Sequence, residues 1–334
     1  MDKTKKWSEY LLDYALYIIL GLMIIGVVIA DRSFLSMSNM WKILAQASTR
    51  GILALGVAGM IVLQGTDLSA GRILGCGAAV SASLLQSVTY ASRFYPQITE
   101  PLPLLIPLLL SIVVCVFFCL INGFGVAKLH MHAFIISLGT QLIAYGVLCL
   151  YIDSQAGGAQ PLASMEPEYI RLVNGSIIGP VPNLVICLLL CSVVMWVIWN
   201  KTTLGKNMFA IGGNPEAAAV SGVNVAKNIM MVYLVAGVLY GIAAFLEAGR
   251  VQSVTTATGT NYDLDAISGC VIGGVSFSGG VGTIPGVVLG VIILQVINYS
   301  LYYLQVNAYL QYIFKGLIII LAVAIDVRKY IAKK

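Results

Sequence analysis

Apolar residues in this chain run in long blocks, not in the short alternating patterns of a half-buried helix or strand. About 20 apolar residues make one helix that crosses a bilayer. The blocks at 104–126, 134–151, 183–199, 229–246 and 309–325 each predict one crossing, and the block at 14–30 predicts a short first one. The stretch at 39–50, with Trp41 and Lys42, predicts an interfacial helix. Residues 51–64 and 73–87 read as two crossings with the break GTDLSAG (65–71) between them. The block at 266–299 is too long for one crossing, and SGGVGTIP (278–285) divides it in two. The pattern therefore predicts an all-α integral membrane protein of about ten transmembrane helices, with 1–334 forming one domain.

Composition agrees. Hydrophobic residues make up 59% and charged residues 10%, with a mean hydropathy of +0.92, whereas soluble domains carry about 25% charge. The net charge of +5 is read by location and does not point to nucleic acid. Ten crossings put both termini on one side. That side holds twelve Lys and Arg residues, the other six, and Lys315 lies within the last crossing. The richer side faces the cytoplasm. Both termini and the loop at 200–228 are then cytoplasmic, and the loop at 153–182 is external. Asp13 interrupts the apolar part of the basic start, which reads as a retained first crossing. The seven cysteines lie in apolar blocks without a CxxC pair and read as small core residues.

The polar stretch KTTLGKNMFAIGGNPEAAAVSGVNVAK (201–227) stands between two crossings. Gly212 and Gly213 make a break, Asn214 suits an N-cap, Pro215 the first helical position and Glu216 the positive end of the dipole. Ala217, Ala218 and Ala219 favour helix, and Gly222 suits the residue that ends it. A helix of about two turns cannot hold itself together in water. It is either a capped turn or a knob that a soluble partner pushes against, with Ala217, Ala218 and Ser221 as its small face.

Candidate chemistry is sparse. No HExxH, GxSxG or GxxxxGK[ST] occurs, so no zinc-protease, hydrolase or ATP-binding signature is present. His130 and His132 read as interfacial residues, Glu247 as a headgroup-level one, and no metal site is expected. Asp67 follows the break; it either caps the next helix through the amides of Ser69 or Ala70 or lines a polar cavity. Asp263 and Asp265 carry the same alternatives. Asn122, Thr140, Gln141, Gln295 and Asn298 either bond between helices or line a path for a hydroxyl-rich solute. TDLSAG (66–71) and DLDAI (263–267) each precede a small-residue crossing, and in this topology they start crossings of opposite direction. That pattern suggests two pseudo-repeated halves.

The stretches ALGVAGMIVLQGTDLSAGR (54–72), NKTTLGKNMFAIGGNPEAAAVSGVNV (200–225), LEAGR (246–250), YDLDAI (262–267), GGVSFSGGVGT (273–283) and QYIFKG (311–316) resemble the membrane permease subunits of bacterial ABC sugar importers of the ribose/galactose type. The resemblance implies a permease in the cytoplasmic (inner) membrane, paired with a second permease subunit as a homodimer. It also implies a cytoplasmic ATPase that uses ATP and Mg, an external sugar-binding protein, and a monosaccharide such as galactose, a methyl galactoside or glucose. No cofactor would be bound by this chain. The helix at 214–222 becomes the coupling helix, and Asp67 and Ser69 fall near the translocation path. A proton- or ion-coupled carrier acting alone is the alternative, with Asp67, Asp263 or Asp265 as its proton site. An intramembrane enzyme lacks a nucleophile–base pair.

The topology makes a direct prediction. Single cysteines at Ser164 and Lys206, in a background free of native cysteines, react with impermeant reagents from opposite sides of the membrane. Labelling of both from outside defeats it.

Overall fold

A computed structural model describes residue 21 and residues 24–29, 31–155 and 157–331. The expected first crossing at 14–30 lies mostly outside these, although 24–29 is helical, and both chain ends lie outside them. A 3-10 turn (Arg32–Leu35) leads into α1 (Met37–Val62). There follow α2 (Ala70–Leu84), α3 (Leu105–Ala127), α4 (Ala133–Asp153), α5 (Pro167–Asn174), α6 (Asn183–Lys201), α7 (Thr203–Gly213) and α8 (Pro215–Val220). Then come α9 (Val225–Val251), α10 (Tyr262–Ile272), α11 (Ile284–Tyr303) and α12 (Ala308–Ile331). Two short strands, β1 (Leu162–Ala163) and β2 (Ser253–Val254), pair antiparallel. Among the described residues, six helices are long and apolar enough to cross a membrane: α1, α3, α4, α6, α9 and α11.

The interfacial helix expected at 39–50 does not exist as a separate element. Ser36 caps a single 26-residue helix through Asn39, and α1 runs on without a break to Val62. Thr49 and Arg50, at the polar end of that stretch, find partners inside the bundle. Gly51 does not interrupt the helix; it admits Leu188 of α6.

Two of the expected crossings are short helices. With a rise of 1.5 Å per residue, α2 (15 residues) extends about 22 Å and α10 (11 residues) about 16 Å, against roughly 30 Å of hydrocarbon. Both begin against each other. Gly71 of α2 packs on the Gly259 carbonyl and on Asp263 at the start of α10, and Arg72 Nη1 donates to the Thr256 carbonyl at 3.0 Å. The turn expected at the cytoplasmic face thus touches the stretch expected at the external face. Arg72, one of the twelve basic residues that the charge count assigns to the cytoplasmic side, is half-buried over the Tyr145 ring.

Small residues bring the helices close. Gly237 and Gly241 of α9 meet the backbone of α3 at Val116 and Ile112, and Ser111 Oγ donates to the Gly241 carbonyl at 3.0 Å. Gly269 of α10 and Gly273, just past its end, do the same against Gly286, Gly290 and Val291 of α11. The outer faces of α3, α4 and α6 expose large apolar residues such as Phe117, Leu142, Leu150 and Leu190. The loop at 153–182 is more ordered than its sequence suggests. It contains β1 and α5, whose Tyr169 donates its hydroxyl to the Phe245 carbonyl of α9.

The contact between the two short helices is steric and testable. Gly259 has φ +80°, and a Cβ there would overlap the Gly71 carbonyl. Gly259→Ala lowers stability by at least about 1–3 kcal/mol, the usual cost of overpacking. Gly139→Ala, in open space on α4, is neutral or stabilising. Thermal unfolding in detergent distinguishes the two.

Candidate functional site

The end of α1 creates the site. Gly65 N–H bonds to the Met60 carbonyl and Gln64 N–H to the Ile61 carbonyl, both at 2.9 Å, with Gln64 left-handed at φ +63°. This is a Schellman ending. The chain then stays non-helical until α2 begins at Ala70. The start of α2 leaves amides without helical partners, and Asp67 accepts one of them, Ser69 N–H, at 2.8 Å.

Asp67 is fully buried and both its oxygens are engaged. Oδ1 also accepts the Ser69 hydroxyl, and Oδ2 accepts the Tyr240 hydroxyl of α9 at 3.1 Å. The network continues outward from Ser69. Asn122 Nδ2 of α3 donates to Ser69 Oγ at 2.9 Å, and Thr140 Oγ1 of α4 donates to Asn122 Oδ1 at 2.6 Å. Asp67, Ser69, Asn122 and Thr140 thus form one buried chain of hydrogen bonds with Tyr240, tying the helix break to α2, α3, α4 and α9. The expected bond from the Ser69 amide is present, although Ser69 itself occupies the N-cap position of α2, and protein donors occupy the carboxylate. Sequence reasoning missed Tyr240. Its signal was a tyrosine inside an apolar helix, whose hydroxyl needs a partner when buried.

Asp265 belongs to a different cluster. Its two oxygens face Arg50 Nε at 3.1 Å and Lys315 Nζ at 3.0 Å. Beside it Glu247, expected at headgroup level, is fully buried. Glu247 accepts from Arg250 at 2.6 and 2.9 Å, from Thr49 at 2.7 Å and from Tyr262 at 2.6 Å, while Arg50 lies over the Tyr262 ring at 4.5 Å. Removing one partner from such a buried pair typically costs about 3–5 kcal/mol. A cavity of about 110 Å³ opens beside Asp265, Lys315, Ser268 and Tyr312.

The remaining expected residues stand apart. Gln141 is half-buried on α4 and joins neither network. Asn298 Oδ1 is buried without a partner, as are Gln295 Oε1 and Ser300 Oγ on the same helix. His130 and His132 are exposed. No group of three or more His, Cys, Asp or Glu residues able to hold a metal occurs among the described residues.

The polar stretch at 201–227 contains two helices where one was expected. Thr202 caps α7, and Asn214, extended at φ −161°, ends α7 and caps α8 through Ala217 N–H at 3.0 Å. Pro215 takes the first helical position, Glu216 the first turn, and Gly222 ends the element at φ +85°. The six-residue α8 is shorter than the two turns expected. Its small face is also turned differently. Ala218 is buried against the loop itself, whereas Glu216, Ala217 and Ser221 are exposed and Val220 is 91% exposed. Gly213 lies in open space, but Gly212 is buried at a backbone junction, where a Cβ would overlap the Val62 carbonyl.

A membrane bundle with interrupted helices around a buried polar network has the architecture of a transport permease. The chain belongs to the family described as branched-chain amino acid transport system / permease component, whose model matches residues 39–323. It is 47% identical over 333 residues to the galactose/methyl galactoside import permease protein MglC of Escherichia coli (strain K12), covering 99% of this chain and 98% of that protein. Identity to MglC of Haemophilus influenzae is also 47%, over 339 residues, covering 100% and 99%. The ribose import permease protein RbsC of Bacillus subtilis (strain 168) is 32% identical over 315 residues, covering 93% and 92%. No solved structure matches the chain.

The Asp67 network separates charge from hydrogen bonding. An N-cap contributes about 1 kcal/mol, too little to unfold a bundle of this size, and Asp67→Asn can still cap Ser69. Asp67→Asn therefore keeps expression and thermal stability while transport falls, whereas Asp67→Ala loses transport and lowers the protein level as well. Normal transport by Asp67→Asn rules out a role for the charge.

Proposed function

We propose that this chain is the membrane-spanning subunit of an ATP-driven importer for a monosaccharide, with galactose or a methyl galactoside as substrate and glucose as the nearest alternative. The observation that carries the reading is the 47% identity, over nearly the full length of both chains, to proteins named as galactose/methyl galactoside import permeases. The chain is then a single permease domain, 1–334, of the bacterial inner membrane, and it is not itself an enzyme. It pairs with a second copy, with a cytoplasmic ATPase that binds ATP and Mg, and with an external sugar-binding protein docked over 88–103 and 153–182.

Ten membrane passages with both termini in the cytoplasm suit this reading if α2 and α10 count as partial crossings completed by the non-helical stretches before them. Arg72, Arg50 and Arg250 lie against protein groups rather than free at a membrane face, so they are poor topology markers. Without them the cytoplasmic side still holds eleven basic residues against four. The two-half design has support in a shared pattern. Each of α1 and α9 is followed by a left-handed glutamine, Gln64 or Gln252, then by a non-helical stretch and a short helix. The start of α2 then meets the start of α10, as in transporters built from inverted repeats. The Asp67–Ser69–Asn122–Thr140 network stands beside the path, with hydrogen-bonding groups suited to a hydroxyl-rich solute.

A proton-coupled carrier is less well supported. Two cations hold Asp265 and Asp67 accepts three donors, so neither of these carboxylates stands open to a transported proton, and Asp263, the third candidate, is buried against Gly71.

In the importer reading α8 docks on the ATPase through Glu216, Ala217 and Val220. Ala218 faces inward, so a change there disturbs the loop itself. Ala217→Arg adds bulk at the docked face. Overpacking of about 1–3 kcal/mol corresponds to roughly 5- to 150-fold weaker association. Ala217→Arg, Val220→Asp and Gly213→Pro therefore reduce co-purification of the ATPase or sugar-stimulated ATP hydrolysis in reconstituted vesicles, while the bundle stays folded. If all three keep wild-type levels of both, α8 is only a capped loop.

A further inference from the structure

We propose that Gln64 is a positioning residue that carries displacement of the cytoplasmic helix α8 to the buried segment holding Asp67; the proposal rests on the importer reading above. Gln64 occupies the left-handed position that ends α1, at φ +63°. Glycine is the usual residue there because a Cβ is strained in that conformation. The strained position aims a side chain. Nε2 donates to the Gly212 carbonyl at 2.8 Å and to the Ser278 carbonyl at 3.2 Å. The Gly212 carbonyl is among the last four of α7, which have no partner within their own helix.

Three backbone segments meet at this amide. The Gly280 N–H donates to the Val62 carbonyl of α1 at 2.9 Å. A Cβ on Gly212 would overlap that same carbonyl, and a Cβ on Gly279 would overlap the Gln64 side chain. Backbones this close do not slide past one another independently. The end of α1, the end of α7 and the turn between α10 and α11 therefore move as one joint. On one side of the joint, Gly212 lies two residues before Asn214, the cap of α8. On the other, Gln64 lies three residues before Asp67. The third arm, at 278–280, leads directly into α11.

Both acceptors are carbonyls, so the link requires a donor at position 64. Gln64→Gly removes the donor while favouring the left-handed turn. Gln64→Glu keeps the size and loses the donor when ionised. Gln64→Lys restores a donor that can reach two carbonyls. Each variant is purified with the ATPase and the binding protein, reconstituted in vesicles, and assayed for ATPase co-purification, basal hydrolysis, sugar-stimulated hydrolysis and sugar taken up per ATP. Gln64→Gly and Gln64→Glu keep the ATPase and basal hydrolysis, but uptake per ATP falls roughly fivefold, within the range for residues that modulate coupling without touching a ligand. Gln64→Lys stays within about twofold of wild type. Three results overturn the proposal while leaving the importer reading intact. They are wild-type uptake per ATP in both donor-less variants, loss of the ATPase from Gln64→Gly, and uncoupling of Gln64→Lys to the same extent as Gln64→Glu. A wild-type complex without sugar-stimulated hydrolysis overturns both.

Discussion

Two helices of this protein begin against each other inside the bundle, and that placement governs what surrounds them. The first amides of a helix lack intrahelical partners. Away from water, such groups cost several kcal/mol if left unpaired. At α2 the Asp67 carboxylate takes the Ser69 amide. At α10 the Gly259 carbonyl takes the Tyr262 amide at 3.2 Å. The close approach needs glycine at 71 and 259, since either Cβ would overlap the opposite carbonyl. Buried carboxylates, glycine contacts and left-handed helix ends are consequences of one requirement: the chain must stop and restart helices where water cannot help.

Charge follows the same logic. Glu247 and Asp265 are buried with their partners rather than displayed, in a cluster that joins α1, α9, α10 and α12. A buried pair is not in itself a gain in stability, but loss of one member is expensive. The cluster therefore fixes the relative positions of these helices, while the Asp67 network fixes those of α2, α3, α4 and α9. The two polar centres flank the meeting point of the short helices, and the junction at Gln64 lies a few residues from one of them.

Much of the site was legible in the sequence, and the gaps have physical causes. Asp67, Ser69, Asn122 and Thr140 stood out because polar groups in apolar blocks need partners, and these four find one another. Asp265 stood out for the same reason, yet its partners, Arg50 and Lys315, lie 215 and 50 residues away, and no local pattern connects them. Tyr240 and Gln64 were passed over because neither is unusual as a residue type; only geometry makes one a donor to Asp67 and the other a link between segments. The cap of α8 was readable residue by residue, from Asn214 to Gly222, because capping is local. Which side of α8 faces out was not, because Ala218 is buried by residues outside the helix.

Hydropathy and charge by themselves determined that this is a helical membrane protein, where most of its long helices lie and that the chain breaks at 65–71 and 278–285, since those properties depend on neighbours within one or two turns. Helix continuity through 39–50, the shortness of α2 and α10, the separation of Asp67 from Asp265 and the junction at Gly212 were decided only by the tertiary structure. Each depends on which distant backbone or side chain supplies a hydrogen bond or fills a space, and a stretch of sequence carries no record of the groups that will stand opposite it.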